Sequence, residues 1–414
     1  MPVARDGNRI NFGGEFGGAD LHRPLAAIHQ ALNAGYQDLI FDFLKCTAAF
    51  AAPMLALCSQ VLRLRESRID FELVMPEDPR LARLFKNANW AHFIEPRSYP
   101  ESSFRGHTQV AATQFKDPDE QSRAVNRIVN AILGAIPDLE RSDFAALEWS
   151  INEVTDNVIV HSESPIGGLV QVSTFSRNQK RVEYIVADAG VGIPSSLRGG
   201  RSDIYSDTEA LDFAIREGVT RDKSIGQGNG LFGSYQICSH SGGRFQIDSG
   251  HAKLLYAPAS GLAIRNEAVP IEGTIVIAQI DFSSPHLLAE ALRFAGKSHS
   301  PVDFVESKYE QQVTDDLLFP LREEARTFGS RASGTPVRNK LHNLLRMCPG
   351  QIVVVDCIGI PLVSSSFADE VFGKLFVQLG PLAFIQRIKV INVEPTVRSL
   401  VDRAITQRSA TGLE

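Results

Sequence analysis

The sequence predicts an α/β protein built in three blocks, a larger central one between two smaller α/β domains. Three observations predict it. Dense apolar runs of strand length alternate with helical stretches near both ends of the chain, as at 38–43 (DLIFDF) and 351–357 (QIVVVDC). Two long amphipathic segments open the middle, followed by strands and a glycine-rich stretch. The chain has 414 residues, which is more than one ordinary core organises and fits two to four domains. The boundaries fall at 1–100, 115–285 and 322–414.

The elements follow in order. In the first block, strands at 38–43 and 70–75 bracket a helix at 51–65, Pro76 and Pro79 end the second strand, and 81–87 reads as another helix. Alternation of strand and helix implies a partly parallel sheet. Residues 95–119 read as a polar connector. In the second block, helix 120–136 places Val125, Ile128, Val129, Ile132 and Leu133 on one stripe, and helix 143–160 follows, with Ser142 or Asp143 as its N-cap. Strands at 169–174 and 182–188 come next. The stretch 194–233 is rich in glycine and polar residues, the composition of a functional lid. A helix at 231–239 and strands at 244–248 and 273–280 close the block. The third block repeats the rhythm of the first: strand 351–357, helix 366–379, strand 388–392, helix 396–407.

Composition narrows the function classes. Hydrophobic residues make up 43% and charged residues 22%, ordinary values for a globular protein. A net charge of −6 argues against a surface built to track nucleic-acid phosphates. Cys46, Cys58, Cys238, Cys348 and Cys357 are scattered and odd in number with no CxxC pair, which suits reduced thiols in a cytoplasm rather than a disulfide frame or zinc site. The N-terminus has no apolar leader core, and the longest apolar runs fall far short of a membrane span.

Three short motifs carry chemistry. Glu153, Asn157 and His161 lie at i, i+4 and i+8 of one helix and so share a face. An amide oxygen there can ligate Mg²⁺, and a carboxylate one turn away can hold or deprotonate a hydroxyl; in isolation a solvated polar face accounts for them as well. Asp188-Ala-Gly190-Val-Gly192-Ile193 follows a strand, where an acceptor-only carboxylate suits an exocyclic amine; alternatively it is a tight Asp-Gly turn. Gly226-Gln-Gly228-Asn-Gly230-Leu231 runs into a helix and can present amides to an anion, or form a plain surface loop. Its spacing and its place after a polar loop exclude a dinucleotide fingerprint.

Taken in order, Glu153-x-x-x-Asn157, Asp188-x-Gly190-x-Gly192 and Gly226-x-Gly228-x-Gly230-Leu231 resemble the GHKL ATPase superfamily over residues 120–282, and NEVTDNVIVHS is most similar to its anti-sigma-factor serine kinase branch. The resemblance implies a Bergerat-type α/β sandwich, a mixed sheet with helices on one face, that binds ATP and Mg²⁺. It implies that Asn157 ligates Mg²⁺, Glu153 is the general base, and Asp188 reads adenine. Gly190, Gly192 and Ile193 would line the base pocket, Gly226, Gly228, Gly230 and Leu231 would wrap the phosphates, and Thr274 would support the adenine. Lys223 and Arg221 read as solvated lid charges or phosphate contacts.

The third block, at Asp356 to Glu370, resembles the STAS-like domains of anti-sigma-factor antagonists. There Ser365 and Ser366 sit where that family is phosphorylated, while the bare residues allow Ser366 to be a helix N-cap boxed by Asp369 or Glu370. The first block is a more distant look-alike, with Ala51 and Ala52 at that place. The expectation is an ATP-dependent switch or protein serine kinase with a STAS-type or sigma/anti-sigma-like partner, or self-association, and with no nucleic acid or membrane; the alternative is an ATP-binding scaffold with little or no turnover.

Overall fold

A computed structural model describes residues 3–17, 22–102, 109–175, 180–216, 218, 229–283, 291, 293–294, 297–298, 303–311, 314–325 and 327–411. The chain forms two compact units. One comprises Met1–Ile128 and Trp149–His299, the other Val129–Glu148 and Ser300–Glu414.

In the first unit, β1 (Val3–Asp6) and β2 (Arg9–Phe12) form a hairpin, and β2 continues in parallel into β4 (Asp38–Asp42) and β6 (Asp70–Val74). A small second ladder joins β3 (Gly14–Phe16) to β5 (Cys46–Ala49). Helix α1 (His22–Asn33) and helix α2 (Ala51–Glu66) complete the crossovers, with α3 (Pro79–Asn87) and α4 (Trp90–Ile94) after β6. Aromatic residues fill this core: the rings of Phe12 and Phe43 stack 4.0 Å apart, and Phe85 meets Trp90 edge-on. Every residue of α2 from Ala51 to Val61 is buried. A helix buried all round needs neighbours on two sides, and the second neighbour is the central sheet.

That sheet runs β10-β11-β9-β8-β7, with β7 (Gln109–Phe115), β8 (Gly168–Phe175), β9 (Arg181–Asp188), β10 (Arg244–Ala257) and β11 (Gly261–Asp281). It is antiparallel throughout, where a mixed sheet was expected, because β8–β9 and β10–β11 are hairpins and β7 pairs antiparallel at the edge. The connector expected at 95–119 contains β7, whose alanines give little strand signal. The strands expected at 244–248 and 273–280 are the inner ends of one long hairpin.

Side chains alternate across the sheet. Tyr184 and Asp188 face the helical layer: the Tyr184 hydroxyl lies 2.6 Å from Ser150 Oγ on α6 (Arg141–His161), which follows α5 (Pro118–Ala135). Ile185, Ala187, Leu169 and Ile275 face the opposite way and share one core with α2 and the N-terminal strands. Trp90 Nε1 donates to Gln171 Oε1 at 2.9 Å across that seam. Between β9 and β10 come α7 (Gly192–Arg198), α8 (Asp207–Ala214) and α9 (Gly230–His240). Helix α6 starts at Arg141, one residue before the expected cap Ser142, so neither Ser142 nor Asp143 is its N-cap.

The second unit holds a parallel sheet of Leu317–Pro320, Val353–Asp356 and Ile388–Ile391, with the middle segment at its centre. Helix Arg331–Met347 carries Asn343, whose side-chain amide donates to the carbonyls of Leu133 and Ile136 at 2.9 and 2.8 Å. These are carbonyls that the end of a helix leaves without partners. Glu324, Lys340 and Lys308 form a buried ion cluster there, so removing one partner would strand charge in the core. All five cysteines are free and buried. Among the described residues no helix is long and apolar enough to cross a membrane.

Candidate functional site

Helix α6 presents Glu153 and Asn157 one turn apart, both half-buried, while Ile151, Val154 and Val158 point into the core. Burial holds the Glu153 carboxyl above its usual range, and the nearby Asp156 carboxylate adds to the rise. Gly230, the first residue of α9, lies directly against this pair: a β-carbon there would sit 2.6 Å from Glu153 Oε2 and 3.5 Å from Asn157 Nδ2.

Asp188 ends β9 and is buried. Burial pushes its carboxyl up to about 7, although the backbone amides of Gly190 (2.9 Å) and Thr274 donate to it and favour the charged form. Two glycines make the turn possible. Gly190 packs so tightly on the end of α6 that a β-carbon would fall 1.9 Å from Ser162 O. Gly273 has φ +85°, and a β-carbon there would fall 2.3 Å from Asp188 O.

Sequence reasoning missed Ser249. It pairs with Thr274 across the β10–β11 ladder and is fully buried. Its hydroxyl accepts from Ile193 N at 3.0 Å, donates to Gly273 O at 2.7 Å and lies 3.2 Å from Thr274 Oγ1. Ser249 therefore ties three expected pocket elements together: the start of α7, the Gly273 bend and Thr274. A lone serine in a strand carries no local signal for this, since its role comes from the register.

The two halves of the site meet through a backbone hydrogen bond and an apolar cluster. Ser162 at the end of α6 accepts from Val191 N at 2.8 Å, and Leu231 on α9 packs with Ile193 against Leu197, Ile204, Ala210 and Ala214. Thus Glu153, Asn157, Asp188, Gly190, Gly192, Ile193, Gly230, Leu231 and Thr274 fall in one region. Gly226 and Gly228 lie outside the described residues, as do Arg221 and Lys223. The stretch expected as a lid contains α7 and α8.

In the second unit, the segment 365–379 is helical, with a π-turn at Asp369–Gly373. Its N-cap is Ser364, whose Oγ accepts from Phe367 N at 3.0 Å, and not Ser366. Ser364 alone precedes the helix with extended backbone, which is what capping requires. Asp369 is bound by Arg331 and Arg408, and Glu370 by Thr335, Arg338 and Lys374, so neither closes a capping box. Ser366 Oγ lies 3.0 Å from Ser364 Oγ, while Ser365 is exposed.

Asp188 and Asn157 present oxygen acceptors of the kinds that an exocyclic amine and a hard cation take. A buried carboxylate with only amide donors is matched to an exocyclic amine. Among the described residues no group of three or more His, Cys, Asp or Glu could hold a metal unaided, and Mg²⁺ commonly takes one or two protein ligands beside substrate phosphates. No curated protein matches the chain. Residues 333–398 match a family described as the STAS-like domain of unknown function (DUF4325). The chain therefore carries a STAS-like domain near its C-terminus.

Proposed function

We propose that the first unit binds Mg-ATP in the manner of GHKL ATPases, and that the protein is a cytoplasmic ATP-dependent switch or protein serine kinase in a STAS-linked pathway. The observation that carries this reading is the geometry at Asp188: a buried carboxyl at a strand end that accepts the Gly190 and Thr274 amides, in the same region as the Glu153–Asn157 pair. Asp188 would accept from the adenine amine, and Ser249 would keep Thr274 and the turn in place. Asn157 would hold Mg²⁺, which when bound neutralises phosphate charge. Glu153, whose carboxyl burial holds above its usual range, is a stronger base than an exposed glutamate and is suited to take a proton from an attacking hydroxyl.

The STAS-like domain favours a protein hydroxyl as one acceptor. Within it Ser365 is the better candidate, because it is exposed while Ser366 is beside the capping Ser364. The test is Mg-ATP consumption by the full chain beside Glu153→Gln and Asn157→Ala, with products followed as free phosphate or phosphoprotein. Free phosphate lost in both variants supports a switch ATPase, labelled protein a kinase, and binding without turnover a nucleotide-sensing scaffold. Absence of Mg-ATP binding by the wild type would sink the reading.

A further inference from the structure

We infer that Gln60, in the N-terminal block, is a positioning residue for the base pocket: it holds the bulged part of β11 that carries Gly273 and Thr274, so this block sets nucleotide affinity. The inference rests on the nucleotide reading above and adds its control from a distance.

The ladder between β10 and β11 breaks at the pocket. Ser249 pairs with Thr274, but Gly250 pairs with Ile271 and Ala252 with Asn266. Glu272 and Gly273 therefore fall between successive pairs, as do residues 267–270. Backbone carbonyls that leave a ladder need other donors, and side chains supply them. Ser249 Oγ donates to Gly273 O, Gln60 Nε2 donates to Glu272 O at 2.8 Å, and His22 Nδ1 lies 2.9 Å from Val269 O, which fixes Nδ1 as the protonated nitrogen. Arg63, one turn along α2 from Gln60, pairs with the Glu272 carboxylate.

Gln60 is conspicuous in its setting. It is buried on a helix whose other buried residues are nearly all apolar or small. A buried amide costs free energy unless it is hydrogen-bonded, and the partner it has is the carbonyl of Glu272. That carbonyl belongs to the peptide immediately before Gly273, whose positive φ turns the Thr274 amide onto Asp188. Loss of the Gln60 bond frees the bulge, and the Thr274 donor to Asp188 goes with it.

The test uses the full chain with Gln60→Leu and Gln60→Glu. For Gln60→Leu, calorimetry with Mg-ATP should show affinity lower by about tenfold, the effect of one buried hydrogen bond. Without nucleotide, amide hydrogen exchange over 270–276 should be faster by about the same factor, with β8 unchanged. Gln60→Glu should resemble Gln60→Leu at pH 8. It should recover toward pH 5, where the protonated carboxyl can again donate. Wild-type binding, exchange and pH behaviour in both variants would overturn the inference and leave the nucleotide reading standing. If the wild type itself binds no Mg-ATP, the nucleotide reading falls, and exchange over 270–276 still decides Gln60: faster supports its positioning role, unchanged overturns it.

Discussion

Gly230 and Glu153 are in contact so close that a methyl group on the glycine would displace the carboxylate: a β-carbon on the first residue of α9 would stand 2.6 Å from the carboxylate oxygen. The backbone at Gly230 is helical, so alanine would ordinarily stabilise it by up to about 1 kcal/mol. Gly230→Ala should turn the flexible end of Glu153 aside at small cost, so the unfolding midpoint should stay within about 1 kcal/mol of wild type. Turnover should fall at least about tenfold in the fit range of one misplaced group. ATPase or kinase assay beside thermal unfolding checks this; full activity would remove Glu153 from the chemistry.

Asp188 gives a pH signature without nucleotide. Its folded pKa of about 7 lies above the ordinary aspartate value, so the folded state binds the extra proton in between. The favourable contribution is complete below about pH 4 and is lost as pH rises to about 7, at about 1.4 kcal/mol per pH unit. Stability of Asp188→Asn relative to wild type should therefore climb from pH 4 to pH 7 and level off above. Denaturant midpoints at each pH measure it. In the same variant Mg-ATP affinity should fall by at least about a hundredfold, two buried hydrogen-bond equivalents.

Ser249→Ala removes the hydroxyl that joins Ile193, Gly273 and Thr274. The expected loss is about 1–3 kcal/mol, because buried partners are left unpaired, together with weaker Mg-ATP binding. Urea unfolding and calorimetry read the two effects, and binding unchanged would separate Ser249 from the pocket.

Ser364→Ala and Ser365→Ala should part company. The first removes the helix cap and costs about 1 kcal/mol. The second should leave the unfolding midpoint within about 0.5 kcal/mol of wild type and abolish any phosphate label on the chain. Label that persists in Ser365→Ala would move the acceptor elsewhere.

Where the signal is local, the sequence was readable. The Glu153–Asn157 spacing on α6 and the Asp188-Ala-Gly190 turn depend on residues within a few positions of each other, and the structure places them together. Three serines in a row could not reveal the cap, because Ser364 is selected by its extended backbone and not by its type. Ser249 and Gln60 escaped notice because their roles come from partners 24 to 212 residues away. Strand β7 was hidden by alanines. The outer arm of β11, exposed or half-buried from Gly261 to Pro270, lacks a buried face to make alternation visible.

The shared core of α2 and the central sheet has an implication for dissection. Leu169, Ile185, Ala187 and Ile275 would meet water if residues 1–100 were cut away, and an apolar sheet face of that kind favours aggregation. The central sheet of this protein is thus no cassette that can be lifted out alone: any fragment meant to stand by itself must keep the N-terminal strands and α2 that cover this face.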